Sequence, residues 1–196
     1  MSMISKISRA GVVALFASIL TVAHPLAASA GPAADQLAEA ERLIEAGDSD
    51  DALLVFDGAV DAFWEQLPLH LRNTLFVTSV DDFGQYEPRG SAFKSGETAL
   101  IYIEPVGYGF VSAGGFHRVA FSTALQIRTP GGLILAESED FGKLVWAGRS
   151  RSHEVPLTIS VALPDLKPGD YELALRLTED ATGDMATGTL SFTIAE

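Results

Sequence analysis

The chain has 196 residues, with 26 acidic and 13 basic side chains, a formal net charge of −13 at pH 7 and no cysteine. This excess of negative charge excludes nucleic acid as a favourable partner and disfavours anionic lipid, because both are negatively charged themselves. The lack of cysteine excludes disulfides, thiolate metal sites, cysteine-dependent catalysis and lipid attachment at cysteine.

The first 30 residues have the pattern of a secretory signal peptide. Lys6 and Arg9 precede an apolar run at residues 11–23, and small residues occupy positions 28–30. The run is too short for a membrane-spanning helix, which needs roughly 20 residues. We therefore expect cleavage after Ala30 and a periplasmic or secreted protein without stable membrane insertion. Cleavage removes two basic residues and no acidic one, so the remaining chain has a formal charge of −15.

Residues 31–70 are predicted to form a helical hairpin. Leu37, Ala40 and Ile44 recur with helical spacing, and Gly47 is suited to end the first helix. Asp48 or Ser49 can begin a second helix, which carries a wider apolar stripe. The members of that stripe are Leu53, Phe56, Val60, Phe63, Trp64 and Leu67.

The hairpin resembles one tetratricopeptide-type unit. The residues that carry this resemblance are Ala40, Leu43, Gly47, Ala52, Leu53, Phe56 and Ala59. Stacked repeats bury their faces with about three units, and the sequence shows no second copy. We therefore favour the alternative, a local hairpin packed on the next domain, in which Phe56, Phe63 and Trp64 belong to the core.

From residue 74 the apolar pattern alternates with a period of two, which is typical of strands that bury one face. Strands are predicted at residues 74–80, 99–104, 119–128, 133–136, 144–146, 157–163, 171–177 and 190–194. Turn signals such as Pro130-Gly131-Gly132 and Pro168-Gly169 separate them. The predicted fold class is mainly β with a small α part: an antiparallel immunoglobulin-like β-sandwich at residues 71–196, preceded by the helical hairpin.

Several turn and strand motifs in this region resemble those of known proteins. They are Phe83-Gly84 and residues 93–97, 101–104, 163–173, 178–180 and 191–194. With these motifs the segment at residues 83–194 resembles an uncharacterised family of exported bacterial proteins with an immunoglobulin-like tail. The resemblance implies the fold and carries over no catalytic residue.

No catalytic constellation stands out in the sequence. His70, His117 and His153 are isolated from one another, and the serines lack a nucleophile-elbow pattern. No phosphate-binding glycine loop occurs. Acidic groups at residues 81–82 and 179–184 are interpreted as solvated turns, with calcium binding as the alternative. The sequence thus indicates no cofactor and no metal site, and it favours a protein that is not an enzyme.

The stretch at residues 104–117 is rich in glycine and aromatic residues, and we expect it to form a long loop at one end of the sandwich. Loops on a rigid scaffold are frequent binding surfaces. The candidate binding residues are Tyr102, Glu104, Tyr108, Phe110, Phe116 and His117, with Tyr102 and Glu104 on one side at the entrance. In the alternative interpretation the aromatic side chains fold back to cover the sandwich end.

These observations favour a non-catalytic exported binding or adaptor module of the bacterial envelope. It would contact a protein or another envelope component through residues 105–117, the helical hairpin, or both. Two alternatives stay open. One is a hydrolase that uses Glu104 with a strand-end aspartate, and the other is a structural envelope protein whose sheet edges pair with other chains.

Overall fold

Two helices packed against each other begin the described part of the chain, which is residues 31–196 of a computed structural model. Helix α1 (Pro32–Ala46) starts with a proline in its first turn and ends at Gly47, whose φ of 87° is the left-handed conformation that favours glycine. Helix α2 (Ser49–Trp64) has two aspartates in its first turn, where the helix dipole stabilises negative charge. The predicted signal peptide at residues 1–30 lies outside the described residues.

Ten strands follow the helices. They are β1 (His70–Asp82), β2 (Gln85–Pro88), β3 (Ala92–Phe93), β4 (Thr98–Val106), β5 (Val111–Ala113), β6 (Phe116–Arg128), β7 (Ile134–Gly148), β8 (Leu157–Ala162), β9 (Gly169–Glu179) and β10 (Met185–Ile194). Every strand predicted from the alternating pattern is present, while the short strands β2, β3 and β5 were not predicted.

The strands form two sheets packed face to face. The first sheet has the order β2-β1-β4-β8, and the second has the order β3-β10-β9-β6, with β5 and β7 also paired to β6. Within residues 31–196 all pairings are antiparallel except the edge pair β3–β10. The predicted fold class, an antiparallel β-sandwich preceded by a helical hairpin, is confirmed.

The core lies between the sheets because buried and exposed residues alternate strictly along the strands. In β8, Leu157, Ile159 and Val161 are buried while the residues between them are exposed. The same alternation in β9 buries Leu173 and Leu175. Because side chains of a strand point to opposite faces in turn, one apolar face from each sheet closes the interior.

Strand β7 differs from its prediction, because residues 133–136 and 144–146 belong to one continuous edge strand. Its pairing with β6 shifts register between Thr123–Gly142 and Leu125–Ser138, so the extra residues of β7 form a bulge. The polar residues at this bulge give the sequence the pattern of a turn.

Among the described residues, no helix has both the length and the apolar character that crossing a bilayer would require.

Candidate binding surface

Residues 104–117 do not form the long loop expected. Strand β4 continues to Val106, and β5 pairs back on the start of β6 through a two-residue turn at Gly114 and Gly115. Both glycines have positive φ, 61° and 77°, which a hairpin turn of type I′ requires. The loop prediction is wrong because β5 is only three residues long, too short to show alternation in the sequence.

Tyr108 lies inside the protein with 1% of its surface exposed. Its hydroxyl donates a hydrogen bond to the Ser152 carbonyl at 2.7 Å. Its ring contacts Trp64 and Phe121 edge to face. Burial raises the pKa of the Tyr108 hydroxyl. Tyr108 therefore anchors the chain at the sandwich end, as in the alternative in which the aromatic residues fold back.

Tyr102 and Glu104 lie on the same side of β4, but both are buried. One carboxylate oxygen of Glu104 accepts from the Tyr102 hydroxyl at 2.8 Å. The other accepts from Arg72 Nε at 3.0 Å and from Asn73 Nδ2 at 2.6 Å. Burial raises the pKa of Tyr102 to about 12. This carboxylate links β1 to β4 and has donors on both oxygens, so the geometry gives the hydrolase alternative no support at Glu104.

The remaining candidates lie nearer the surface. Phe110 is partly buried and its ring lies 6.0 Å from that of Trp146. Phe116 is exposed, and the Arg149 guanidinium lies 4.8 Å from its ring centroid. His117 Nδ1 is 2.8 Å from Ser112 Oγ. The structure brings these residues together at the end of the sandwich that faces α2.

Helix α2 is attached to this end of the sandwich through its last two turns. Trp64 Nε1 donates to the Tyr108 carbonyl at 2.8 Å, and the Trp64 ring lies 4.4 Å from that of His153. Asp61 accepts from Arg151 at 3.0 Å and lies 3.1 Å from His153 Nε2. Arg151 and His153 therefore hold the helix through Asp61 and through the contact between the His153 and Trp64 rings.

A cleft of about 540 Å³ lies beside this attachment. Its lining residues are Asp57, Val60, Asp61, His117, Arg149, Ser150, Arg151 and His153. Both acidic and basic side chains line it, and Asp61 already contacts Arg151 and His153. Among residues 31–196, no group of three or more histidine, aspartate or glutamate side chains is placed to hold a metal ion.

One acidic residue that the sequence places in a solvated turn is buried instead. Glu179 is 1% exposed, and its carboxylate accepts from the Gly109 N–H at 3.0 Å and from the Thr182 hydroxyl at 3.3 Å. Burial raises the pKa of Glu179, and the two hydrogen bonds oppose this shift. The solvated-turn interpretation is wrong for Glu179, because the chain at Gly109 crosses over the end of β9.

The helical hairpin exposes a broad apolar face that the sequence analysis assigned to the core. The buried residues of its two helices are three alanines, Ala40, Ala52 and Ala59. Six large apolar side chains remain 44–71% exposed, namely Leu37, Ile44, Leu53, Leu54, Phe56 and Phe63. The expectation that Phe56 and Phe63 are core residues is wrong, because small residues at the helix contact leave the large ones outside.

Part of this face is a groove of about 460 Å³ between the two helices. Its lining residues are Gly31, Ala33, Ala34 and Leu37 from the start of α1, and Phe56, Ala59, Val60, Phe63 and Gln66 from α2 and its end. Gln66 is the one polar side chain among them. We call this surface, with Leu53 at its distal end, the hairpin groove.

The hairpin is also strongly acidic. Residues 31–67 contain one basic side chain, Arg42, and ten acidic ones, namely Asp35, Glu39, Glu41, Glu45, Asp48, Asp50, Asp51, Asp57, Asp61 and Glu65. Among the described residues, only Glu39, Asp61 and Glu65 of this set have a basic group within 4.0 Å. The other seven carboxylates of the described hairpin have no basic group within 4.0 Å.

No family model matches the chain, and no curated protein matches its sequence. Among solved structures, it is similar to CopC from Methylosinus trichosporium OB3b, with 16% identity over 62% of this chain and 93% of that one and a TM-score of 0.30. It is also similar to the PKD domain of an M14-like peptidase from Thermoplasmatales archaeon SCGC AB-540-F20, with 13% identity over 66% and 98% of the two chains and a TM-score of 0.35. Superoxide reductase (neelaredoxin) from Ignicoccus hospitalis matches with 8% identity over 64% and 82% and a TM-score of 0.32. At these values the likeness carries no inference about activity or ligand.

Proposed function

We propose that the protein is an exported, non-catalytic binding module of the bacterial envelope, in which the helical hairpin holds a protein partner. The proposal includes the division of the chain into a signal peptide (1–30), the hairpin (31–70) and the β-sandwich (71–196). The sandwich acts as the scaffold. Export is supported by the signal-peptide pattern and by the resemblance of residues 83–194 to exported bacterial proteins.

The observation that carries this proposal is the exposed apolar face of the hairpin. Soluble monomers rarely expose contiguous apolar patches larger than a few hundred Å², and such patches mark interaction sites. Covering such a surface gains about 25 cal/mol for each Å² of apolar area removed from water. Phe56 and Phe63 lie two helical turns apart on α2, so a partner can cover both with one continuous surface.

The candidate residues of β4 and of the aromatic stretch that follows it form a weaker binding surface. Tyr108, Tyr102 and Glu104 are buried, which leaves them no surface to offer to a partner. Phe116 and His117 lie beside the cleft next to α2, where they can extend a contact that begins on the hairpin.

The structural alternative, association through sheet edges, is disfavoured at β7. This 15-residue edge strand carries a bulge opposite Thr123 and acidic side chains at Glu137, Glu139 and Asp140. Bulges and charges are the features by which natural edge strands avoid pairing with other chains.

Site-specific photocrosslinking in the cells that produce and export the protein tests the proposal. A photoreactive amino acid is placed at Leu53 or Phe63 on the hairpin and, as matched controls, at Thr158 or Ser160 on the exposed face of β8. We expect protein adducts of discrete mass from the hairpin positions only. The adduct at Leu53 should disappear when Phe56→Asp is introduced as well.

Two outcomes would overturn the proposal. One is the absence of adducts at both hairpin positions, with the variant chains exported at normal levels. The other is the same adducts from the β8 positions, because this would indicate contact without a preferred surface.

A further inference from the structure

We infer that the hairpin groove binds a basic amphipathic helix of its partner. This inference rests on the proposed function, since it assigns the chemistry of the partner at the same surface. It follows from three properties of the groove: its length, the lack of backbone groups able to pair with a strand, and the sign of the charge around it.

The first property is the length and spacing of the apolar side chains. Leu53, Phe56, Val60 and Phe63 follow one another at three or four residues along α2. The ten steps from Leu53 to Phe63, at 1.5 Å each, make this stripe about 15 Å long. A partner helix of about three turns presents its own apolar residues at the same spacing, which is the usual arrangement of a helix bound in a groove.

The second property favours a helix over an extended segment. The walls of the groove are α1 and α2, whose backbone N–H and C=O groups are bonded within each helix. An extended segment on an apolar surface would leave its own backbone groups without partners, which costs free energy for each buried group. A helix satisfies these groups internally and buries side chains alone.

The third property is charge. With 3.6 residues per turn, Glu41 and Glu45 lie on the same side of α1 as Leu37 and Ile44. Asp48, Asp50 and Asp51 surround the turn beyond the distal end of the stripe, close in sequence to the exposed Leu53 and Leu54. These carboxylates are among the seven without a basic partner, so lysine or arginine on the flanks of a bound helix would pair with them.

The same charge argues against other occupants. Two copies of the chain joined through this face would bring twenty carboxylates together against two arginines, one Arg42 from each copy. An anionic membrane surface is repelled for the same reason. Two basic residues of the sandwich, Arg149 and Arg151, line the cleft that shares Val60 with the groove. The basic residues of the bound helix are therefore expected over the turn at residues 47–49, away from that cleft.

Peptide titration tests the inference. The protein is produced from the full-length gene in an exporting host, and its N-terminus is determined by mass spectrometry. The probe is a synthetic helical peptide with leucine at every third or fourth position and lysine on its polar flanks. One matched control replaces each lysine with glutamate, and a second scrambles the sequence so that the apolar face is lost.

Calorimetric titration should give a dissociation constant at least about tenfold lower for the lysine peptide than for the glutamate peptide. The ratio should fall as the salt concentration rises from about 50 mM to about 500 mM, because exposed charge pairs are screened. Phe56→Asp should abolish binding, and Asp50→Asn with Asp51→Asn should weaken it several-fold. Thr158→Asp, on the exposed face of β8, should leave it unchanged. Circular dichroism checks that each variant is folded.

The inference is overturned if the glutamate peptide binds as tightly as the lysine peptide, if the scrambled peptide binds equally, or if no peptide binds. Crosslinks from Leu53 and Phe63 would then show that the hairpin still has a partner of other chemistry. If those crosslinks are absent as well, the proposed function itself has failed.

Discussion

The sandwich and the helical hairpin place their large apolar side chains in opposite ways. In the sandwich, Phe93, Phe121 and Leu173 are fully buried between the sheets. In the hairpin the buried residues are alanines, while Phe56 and Phe63 face solvent. Both regions show regular apolar periodicity, so periodicity alone does not say whether an apolar stripe is core or surface.

The difference depends on what lies opposite each stripe. Each sheet of the sandwich faces another apolar sheet, so large side chains interdigitate. In the hairpin, α1 and α2 meet through small residues, and Gly58 lies against the side chain of Gln36. The wider apolar stripe of α2 is therefore not covered by another helix or sheet among the described residues. The sandwich is stabilised by its own core, whereas the hairpin depends on its attachment to the sandwich.

The largest effect is expected from a matched pair of substitutions, one in the sandwich core and one on the hairpin surface. Phe121→Ala should lower the free energy of unfolding by about 3–5 kcal/mol, because it empties a fully buried site. Phe56→Ala should lower it by less than about 1 kcal/mol, because nearly half of the surface of Phe56 is already exposed. Urea unfolding followed by circular dichroism measures both. Equal losses would contradict the distinction between core and surface.

The attachment between the two regions is expected to be sensitive at Gly107. Its φ is 80°, and a Cβ there would lie 2.6 Å from the carbonyl oxygens of Leu67 and Pro68. Gly107→Ala should therefore cost about 2 kcal/mol or more, since backbone strain and a backbone clash combine. Amide hydrogen exchange should also become faster in α2, while the strands of the sandwich core keep their protection.

Gly114→Ala is the matched control for the Gly107 variant. Gly114 also has a positive φ, 61°, but a Cβ there would meet no atom within 4 Å. It should cost about 1–2 kcal/mol from the left-handed conformation alone, without faster exchange in α2. If the two variants behave alike, the close contact at Gly107 is not what holds the hairpin.

Most of the sandwich could be predicted from the sequence, because alternation such as that of Leu157, Ile159 and Val161 is a direct consequence of one buried face. What the sequence did not show is local. Strand β5 is too short to alternate, and the bulge in β7 has the composition of a turn. Both are defined by their backbone pairing with β6, which leaves no alternating apolar pattern in the sequence.

The candidate site was harder to predict. Glycine and aromatic residues at positions 104–117 are typical of a binding loop, yet Tyr108 fills the interior because Trp64 and Phe121 close around it.

The exposed hairpin face has one signal in the sequence. Ala52 and Ala59 lie one heptad apart beside the larger residues, so α2 carries two apolar stripes, of which the small one makes the helix contact.

The pH dependence of stability is expected to arise in the sandwich, at Glu179. Its pKa in the folded state is raised above the ordinary value of 4.5, so the folded protein binds the proton more tightly than the unfolded chain. The contribution of Glu179 to the free energy of unfolding is therefore largest at low pH. It falls as the pH rises from about 4.5 through the folded-state pKa. Glutamine keeps the acceptor for the Gly109 N–H without the charge.

Glu179→Gln should therefore raise the melting temperature at pH 7 and flatten its decline as the pH rises above about 4.5. Thermal melts at several pH values measure this, with Glu87→Gln on exposed strand β2 as the control. A variant that melts lower than the parent at pH 7 would mean that the ionised carboxylate is favourable where it lies.

The smallest effect is expected for the ion pairs between the two regions. Arg151 lies 3.0 Å from Asp61 and 3.6 Å from Glu65, and its side chain is 38% exposed. Exposed ion pairs of this kind contribute about 0–1 kcal/mol and weaken with salt. Arg151→Gln should therefore change the free energy of unfolding by less than about 1 kcal/mol, and high salt should remove the difference. A larger loss at low salt that high salt removes, with faster amide exchange in α2, would mean that charge rather than Trp64 and Gly107 fixes the hairpin on the sandwich. The hairpin would then be a region whose position responds to ionic strength, and its groove would have to be assayed at the salt concentration where that attachment is intact.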